Sequence, residues 1–174
     1  MAIRIRPFRS GDEDDLVLHA NNPRIAATLR DSFPYPYTLQ DAGQWIGRCQ
    51  SDEPNGTVQR AIILNDRVIG GVGALRASDV YRYNAEVGYW LGEEYWGRGY
   101  TTQALHQLVD WLFAHTDLNR LYAGVFSFNE PSMRVLSKAG FQLEAIHQDA
   151  IYKNGQFWAE HYFVKFRPQK YVPR

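Results

Sequence analysis

A segment that alternates like a β-strand, Arg82 to Leu91, runs through a glycine-containing turn straight into an amphipathic helix ending near His115. In the strand, Tyr83, Ala85, Val87, Tyr89 and Leu91 share one face, and Asn84, Glu86, Gly88 and Trp90 share the other. In the helix, Ala104, Leu105, Leu108, Trp111 and Leu112 form an apolar stripe at helical spacing. A short strand, Leu121 to Phe126, follows. Strand, helix, strand in that order implies a crossover between parallel strands.

Elsewhere the turn signals favour antiparallel hairpins. Val58 to Leu64 and Arg67 to Leu75 are joined by Asn65-Asp66, a two-residue hairpin signal. Gly70, Gly71 and Gly73 in the second strand suggest a bulge or the close approach of another group. The last third reads as a long hairpin, Gln142 to Tyr152 and Gln156 to Arg167, turning at Asn154-Gly155. Ile3 to Arg6 is a further short strand. The helices precede and separate these strands. One starts at Ser10-Gly11-Asp12-Glu13 with Leu16, Leu18 and Ala20 as a weak stripe. Asn21-Asn22-Pro23 interrupts it, and Arg24 to Leu29 forms a second short helix. Thr38 with Asp41 reads as a shortened capping box for a helix carrying Ala42, Trp45, Ile46 and Cys49. Asn129 caps a helix that ends at Gly140, with Phe141 placed for a Schellman contact. The expected fold is α/β: a single domain spanning residues 1–174, with a mixed sheet of about seven strands and helices on both faces.

Composition narrows the function classes. Nineteen basic residues balance nineteen acidic ones, so there is no global attraction to nucleic acid or a membrane surface. No apolar run is long enough to cross a bilayer, and the N-terminal strand lacks the apolar stretch of a signal peptide. Cys49 is the only cysteine, which fits a reducing, cytoplasmic setting; on an apolar helix face it reads as a core filler. His19, His106, His115, His147 and His161 show no metal-ligand spacing. No metal site is expected.

The glycine turn carries the clearest chemistry. It reads Trp96-Gly97-Arg98-Gly99-Tyr100-Thr101-Thr102. The first N–H groups of a helix lack intrahelical acceptors and carry the positive end of the helix dipole, and glycines let those amides approach an anion closely. Arg98 adds charge, and Thr101 and Thr102 add hydroxyls, so the turn suits phosphate and in extent a pyrophosphate. The plainer alternative is a tight strand-to-helix connection. The turn lacks the Gly-Lys-Ser ending of the nucleotide triphosphatase loop and the three glycines of the dinucleotide fingerprint. A second stretch, Asn129 to Phe141, places Asn129 and Ser132 at the start of the next helix; by itself Asn129 is equally a simple cap and Pro131 a first-turn proline.

Together these two stretches resemble the GCN5-related N-acetyltransferase (GNAT) superfamily. The turn is similar to its pyrophosphate motif, Gln/Arg-x-x-Gly-x-Gly/Ala, and Asn129 to Phe141 is similar to its second cofactor motif, an Asn-x-x-Ser start on a helix ending Lys-x-Gly-Phe. The Phe33-Pro34-Tyr35-Pro36-Tyr37 loop, the Trp45 helix and the Glu86 to Trp90 strand resemble the RimJ/RimL branch, which acetylates ribosomal-protein N-termini. Two positions depart from the pattern: Trp96 replaces Gln or Arg, and Thr101 replaces Gly or Ala. The resemblance implies acetyl-CoA as cofactor. The amides of Gly97, Arg98, Gly99, Tyr100, Thr101 and Thr102 would hold the pyrophosphate. The backbone of Tyr89, Trp90 and Leu91 would pair with the pantetheine arm, and Asn129 and Ser132 would lie beside the arm and sulfur. The acetyl group would sit where two parallel strands splay apart. Arg134 and Lys138 would reach the adenosine phosphates or be solvated.

The reaction so implied is direct attack of a primary amine on the thioester. Glu86 is the candidate base, its alternative a strand carboxylate paired with a base such as Arg82; Ser132 is the candidate donor to the departing sulfur, its alternative a first-turn serine bonded to a local amide. Phe33, Tyr35 and Tyr37 either wall the acceptor groove or pin their loop to the core. The acceptor expected first is a peptide or protein N-terminus. A small-molecule amine (polyamine, amino sugar or antibiotic) comes next. A non-catalytic coenzyme A-binding module and a nucleotide-binding protein remain as other classes. A homodimer, with 158–166 or the tail 168–174 pairing between subunits, is expected from relatives.

Overall fold

A computed structural model describes residues 2–168; most of the tail expected to pair between subunits, 169–174, lies outside the described residues. The strands are β1 (Arg4–Arg6), β2 (Val58–Leu64), β3 (Arg67–Arg76), β4 (Asn84–Leu91), β5 (Arg120–Phe126), β6 (Gln142–Lys153) and β7 (Gln156–Phe166), and the helices are α1 (Glu13–Ala20), α2 (Pro23–Ala26), α3 (Leu39–Asp52), α4 (Tyr100–His115) and α5 (Glu130–Lys138). All seven strands form one mixed sheet in the order β1-β2-β3-β4-β5-β7-β6. Among the described residues only the β4–β5 pair is parallel, joined by the α4 crossover.

Local signals in the sequence account for much of this. Asn65 and Asp66 adopt φ of 49° and 62°, the double positive φ that a two-residue hairpin requires. Thr38 accepts the Asp41 N–H, and the Asp41 carboxylate accepts the Thr38 N–H, a complete capping box. At the end of α5, Gly140 has φ +82°, with Phe141 N–H donating to the Leu136 carbonyl and Gly140 N–H to the Ser137 carbonyl, which is a Schellman motif. Gly70 lies so near β4 that a Cβ would come within 2.4 Å of the Trp90 carbonyl oxygen, and β3 bulges beside it, Ile69 being the extra residue opposite Ile62 and Ile63.

Two local readings are corrected. Asn21-Asn22-Pro23 does interrupt α1, but it also begins α2: Asn22 accepts the Arg24 N–H and Pro23 occupies the first turn, so the second helix spans Pro23–Ala26 rather than Arg24 to Leu29. Leu18 points to solvent while Leu16 and Ala20, four residues apart, are buried. As the glycine turn leads one to expect, α4 starts at Tyr100, because Gly97 and Gly99 have φ of +73° and +77°, outside the right-handed helical region.

The sheet separates two cores. On one face α4 and α5 bury Leu105, Leu108, Leu112 and Leu136 against Ile62, Ile69 and Leu121. On the other, α1 and α3 bury Leu16, Ile46 and Cys49 against Phe8, Ile63 and Val68. Strands β2 and β3 are covered on both sides and are buried along most of their length. Burial pushes the Cys49 thiol up to about 12, consistent with a core filler rather than a nucleophile. No described helix is long and apolar enough to cross a membrane.

The parallel pair holds for only three rungs, ending at Glu86↔Tyr122. Beyond it β4 stays on β3 as far as Leu91, while β5 stays on β7 as far as Phe126. The two strands therefore splay apart from Val87 onward, and the gap opens into a cleft of about 1000 Å³.

Candidate functional site

The cleft begins at the turn between β4 and α4. Space is open at Gly97 and Gly99: a Cβ at either would meet nothing within 4 Å. Unlike α3 and α5, α4 has no side-chain cap, and its first intrahelical bond runs from Gln103 N–H to the Gly99 carbonyl. The amides of Tyr100, Thr101 and Thr102 therefore lack helical acceptors at the positive end of a sixteen-residue helix. This cradle fits an anion such as a pyrophosphate. Gly97 and Thr101 line the cleft. Arg98 reaches over the Tyr95 ring, its guanidinium 6.0 Å from the centroid. The Tyr100 side chain belongs to the core, so that residue has only its backbone to offer. Thr102 is half-buried.

The Trp96 departure has a structural explanation. Its indole N–H donates to the Leu91 carbonyl at 2.8 Å, bracing the end of β4 against the turn.

Backbone alternation decides which β4 groups face the splay. Asn84 accepts from Ala77, and Gly92 donates to Ile69, so even-numbered residues point toward β3. Tyr83 accepts from Asn119 and Arg120, and Leu91 from Trp96, so odd-numbered residues point toward β5. Of the three residues expected to pair with an extended arm, Tyr89 therefore presents both backbone groups to the gap and Leu91 its N–H. The backbone of Trp90 is turned to β3, which corrects that expectation. Val87, not singled out from sequence, has the orientation of Tyr89.

On the far side of the gap, α5 follows β5 through the turn at Asn129. Asn129 caps α5 by accepting the Ser132 N–H at 3.4 Å, and both residues line the cleft. The Ser132 hydroxyl does not bond a local amide. It lies 2.8 Å from the Tyr89 hydroxyl, which also donates to the Ser132 carbonyl at 3.1 Å. Burial raises the Tyr89 phenol well above its ordinary value, so it stays protonated. The phenol has one proton, so when it donates to the Ser132 carbonyl it accepts from the serine hydroxyl at 2.8 Å. Only the backbone role of Tyr89 was legible in the sequence.

Four acidic residues line the cleft, Asp31, Asp41, Glu86 and Glu160, and the two glutamates stand beside the splayed strands. Glu86, on the last parallel rung, is paired with Arg30 from the loop after α2. It is not paired with Arg82, which turns back to the Asp79 carbonyl and over the Tyr83 ring. Glu160, on β7, has a side chain only 16% exposed and makes no side-chain hydrogen bond among the described residues; His147 Nδ1 is 3.8 Å away. Its carboxylate lies over Gly124, where a Cβ would approach Glu160 Oε1 to 2.2 Å. Beside the two acids, Tyr122 and Tyr162 stack at 5.6 Å, and both phenols are raised, first by burial and then by charge, Tyr122 by Glu86 and Tyr162 by Glu160 ahead of Glu86. No motif marks Glu160. It arrives because β7 inserts between β5 and β6.

The aromatic loop divides. Phe33 lines the cleft, 6.1 Å from the Trp90 ring and 5.5 Å from Tyr37. Tyr37 touches the cleft but is packed into the α1–α3 core, and burial pushes its phenol up to about 12. Tyr35 is 52% exposed and lies off the cleft, which corrects its assignment to the groove wall. Opposite, Lys153 from the β6–β7 hairpin pairs with Asp31 at 2.6 Å. Arg134 lies 3.4 Å from Glu130 on its own helix. Among the described residues no group of three His, Cys, Asp or Glu could hold a metal.

Comparison with known proteins agrees with this geometry. A family model described as an acetyltransferase (GNAT) domain matches residues 2–142. The chain is 29% identical over 151 residues to the uncharacterized N-acetyltransferase p20 of Bacillus licheniformis, covering 84% of this chain and 83% of that protein. It is also 29% identical over 133 residues to the ribosomal-protein-serine acetyltransferase of Escherichia coli (strain K12), covering 68% and 74%. The solved structure of RimL, a ribosomal L7/L12 alpha-N-protein acetyltransferase in complex with coenzyme A, superposes with a TM-score of 0.85 at 19% identity, over 95% of this chain and 94% of that one. That likeness shows a common fold. The family match spans most of the chain, including the cradle and the splayed strands, and the chain belongs to the GNAT family of acetyl-CoA-dependent N-acetyltransferases.

Proposed function

We propose that this chain acetylates the N-terminal amine of a peptide or protein. The observation that carries the reading is the splayed β4–β5 gap, with the Tyr89–Ser132 hydroxyl pair on one side and the open Glu160 carboxylate on the other. Acetyl-CoA, when bound, supplies an activated thioester carbonyl. The amides of residues 97–102 hold its pyrophosphate, and the backbone of Tyr89 orients its arm along β4. A strand amide, from Val87 or Tyr89, stands ready for the developing oxyanion. Glu160 or Glu86 removes the ammonium proton, and the Ser132 hydroxyl donates to the departing sulfur. Likeness to ribosomal-protein acetyltransferases supports a polypeptide acceptor. So does a cleft that continues past the acids to Phe33 and the β6–β7 hairpin, leaving room for more than an amine.

The test is a thiol-release assay with acetyl-CoA against peptides differing in their first residue, the same peptides blocked at the N-terminus, and a panel of small amines. Turnover confined to free N-termini is the expected result. Turnover only on small amines would overturn the acceptor class, and none on any amine would favour a binding module.

A further inference from the structure

The wall facing the acceptor side of the cleft is fastened to the turn that forms the anion cradle. Asn22 Nδ2 donates to Glu93 Oε2 at 2.7 Å, and Arg24 pairs with Glu93 Oε1. The Arg24 guanidinium also sits 5.3 Å from the centroid of the Trp96 ring. Trp96 immediately precedes Gly97 and is tied by its indole N–H to the Leu91 carbonyl, so its position reports both the cradle and the end of β4. From beneath, His19 holds the same turn. It packs edge-on against Tyr95 at 5.4 Å and so near Gly92 that a Cβ there would meet its Nδ1 at 2.9 Å.

Arg24 lies on α2, and the segment after α2 carries Arg30 to Glu86 and Phe33 to the cleft. The far end of that segment is tied back by the Tyr37 N–H, which donates to Asn21 Oδ1 at 3.0 Å. The wall is thus a closed loop whose two ends meet at the α1–α2 junction, the same junction that grips residues 92–96.

We infer that Arg24 is a positioning residue, coupling the occupied cradle to the acceptor wall through Trp96 and Glu93. The inference rests on the reading of residues 97–102 as the coenzyme A site. A shift of the glycine turn on anion binding moves Trp96, to which Gly97 is directly bonded. The Trp96 ring and Glu93 then carry Arg24, α2 and the wall with them.

The experiment is hydrogen exchange read by mass spectrometry, with and without coenzyme A, on wild type, Arg24→Ala and Arg24→Lys, alongside steady-state kinetics. The Arg24 side chain is 68% exposed, so both variants are expected to fold. In wild type, coenzyme A should slow exchange at 97–103 and also at 24–33. Arg24→Ala should keep the first effect and lose the second, raising acceptor KM about tenfold with acetyl-CoA KM little changed. Arg24→Lys keeps a positive charge for Glu93 but not the guanidinium over Trp96, and should fall between. Protection at 97–103 alone in wild type, or undiminished protection at 24–33 in Arg24→Ala, overturns the coupling and leaves the cofactor site standing. Protection in neither segment overturns the cofactor site, and the coupling with it.

Discussion

Glu86 and Glu160 reach the same gap but are held differently. Glu86 is engaged by Arg30, whereas Glu160 is nearly buried and makes no hydrogen bond to a described side chain. A carboxylate left open is the better placed of the two to take a proton. Glu160→Gln should therefore lower kcat about 10²-fold or more, while Glu86→Gln should act chiefly on acceptor KM. Steady-state kinetics of both variants check this; the reverse pattern would assign the base to Glu86. The hydroxyl pair makes a separate prediction. Tyr89→Phe removes the phenol's hydrogen bonds to Ser132 while the helix still satisfies the carbonyl, and should cost about 0.5–1.5 kcal/mol of stability by denaturant unfolding. Ser132→Ala should spare stability and acetyl-CoA KM and lower kcat.

At the scale of elements, the fold is held by devices that each act within a few residues. Removing the α3 capping box with Thr38→Ala should cost about 1 kcal/mol, a fall of roughly 2–4 °C in Tm for a chain of this size, with acetyl-CoA affinity unchanged because α3 lies outside the cradle. An equal loss of cofactor binding would show that α3 supports the site. Such local devices were legible in the sequence: the Asn65-Asp66 hairpin, the Thr38 and Asn129 caps, the Gly140 terminus and the glycine cradle all act over short chain separations. The acceptor side was not. Glu86 meets Arg30 across 56 residues, and Trp96 substitutes for the usual side chain by a bond that no motif encodes. Glu160 depends on β7 entering the sheet out of chain order. Tyr35 and Tyr37 carry the same aromatic signal in sequence, and only packing separates the exposed ring from the buried one.

Across the whole molecule, stability and site are linked at His19, which is buried where α1 meets the cradle turn. Its pKa is lowered from 6.5, first by burial, with Arg67 adding to the shift and Glu94 and Asp15 opposing it. The unfolded chain therefore binds the proton more readily. The stabilisation is full above the ordinary histidine pKa and is lost as pH falls through the lower folded value. Tm should decline as pH drops below about 6.5, and His19→Gln should flatten that decline; an unchanged acid limb in the variant would place the effect elsewhere. The central claim is that the uncapped start of α4 and its two glycines hold acetyl-CoA, and calorimetric titration of wild type beside Gly99→Trp tests it most directly. At φ +77°, facing open space, the tryptophan would fill the cradle at a backbone cost of about 1–2 kcal/mol, small enough for the chain to fold. The account predicts micromolar binding by wild type and none by the folded variant. No binding by folded wild type, or equal binding by both proteins, would contradict it.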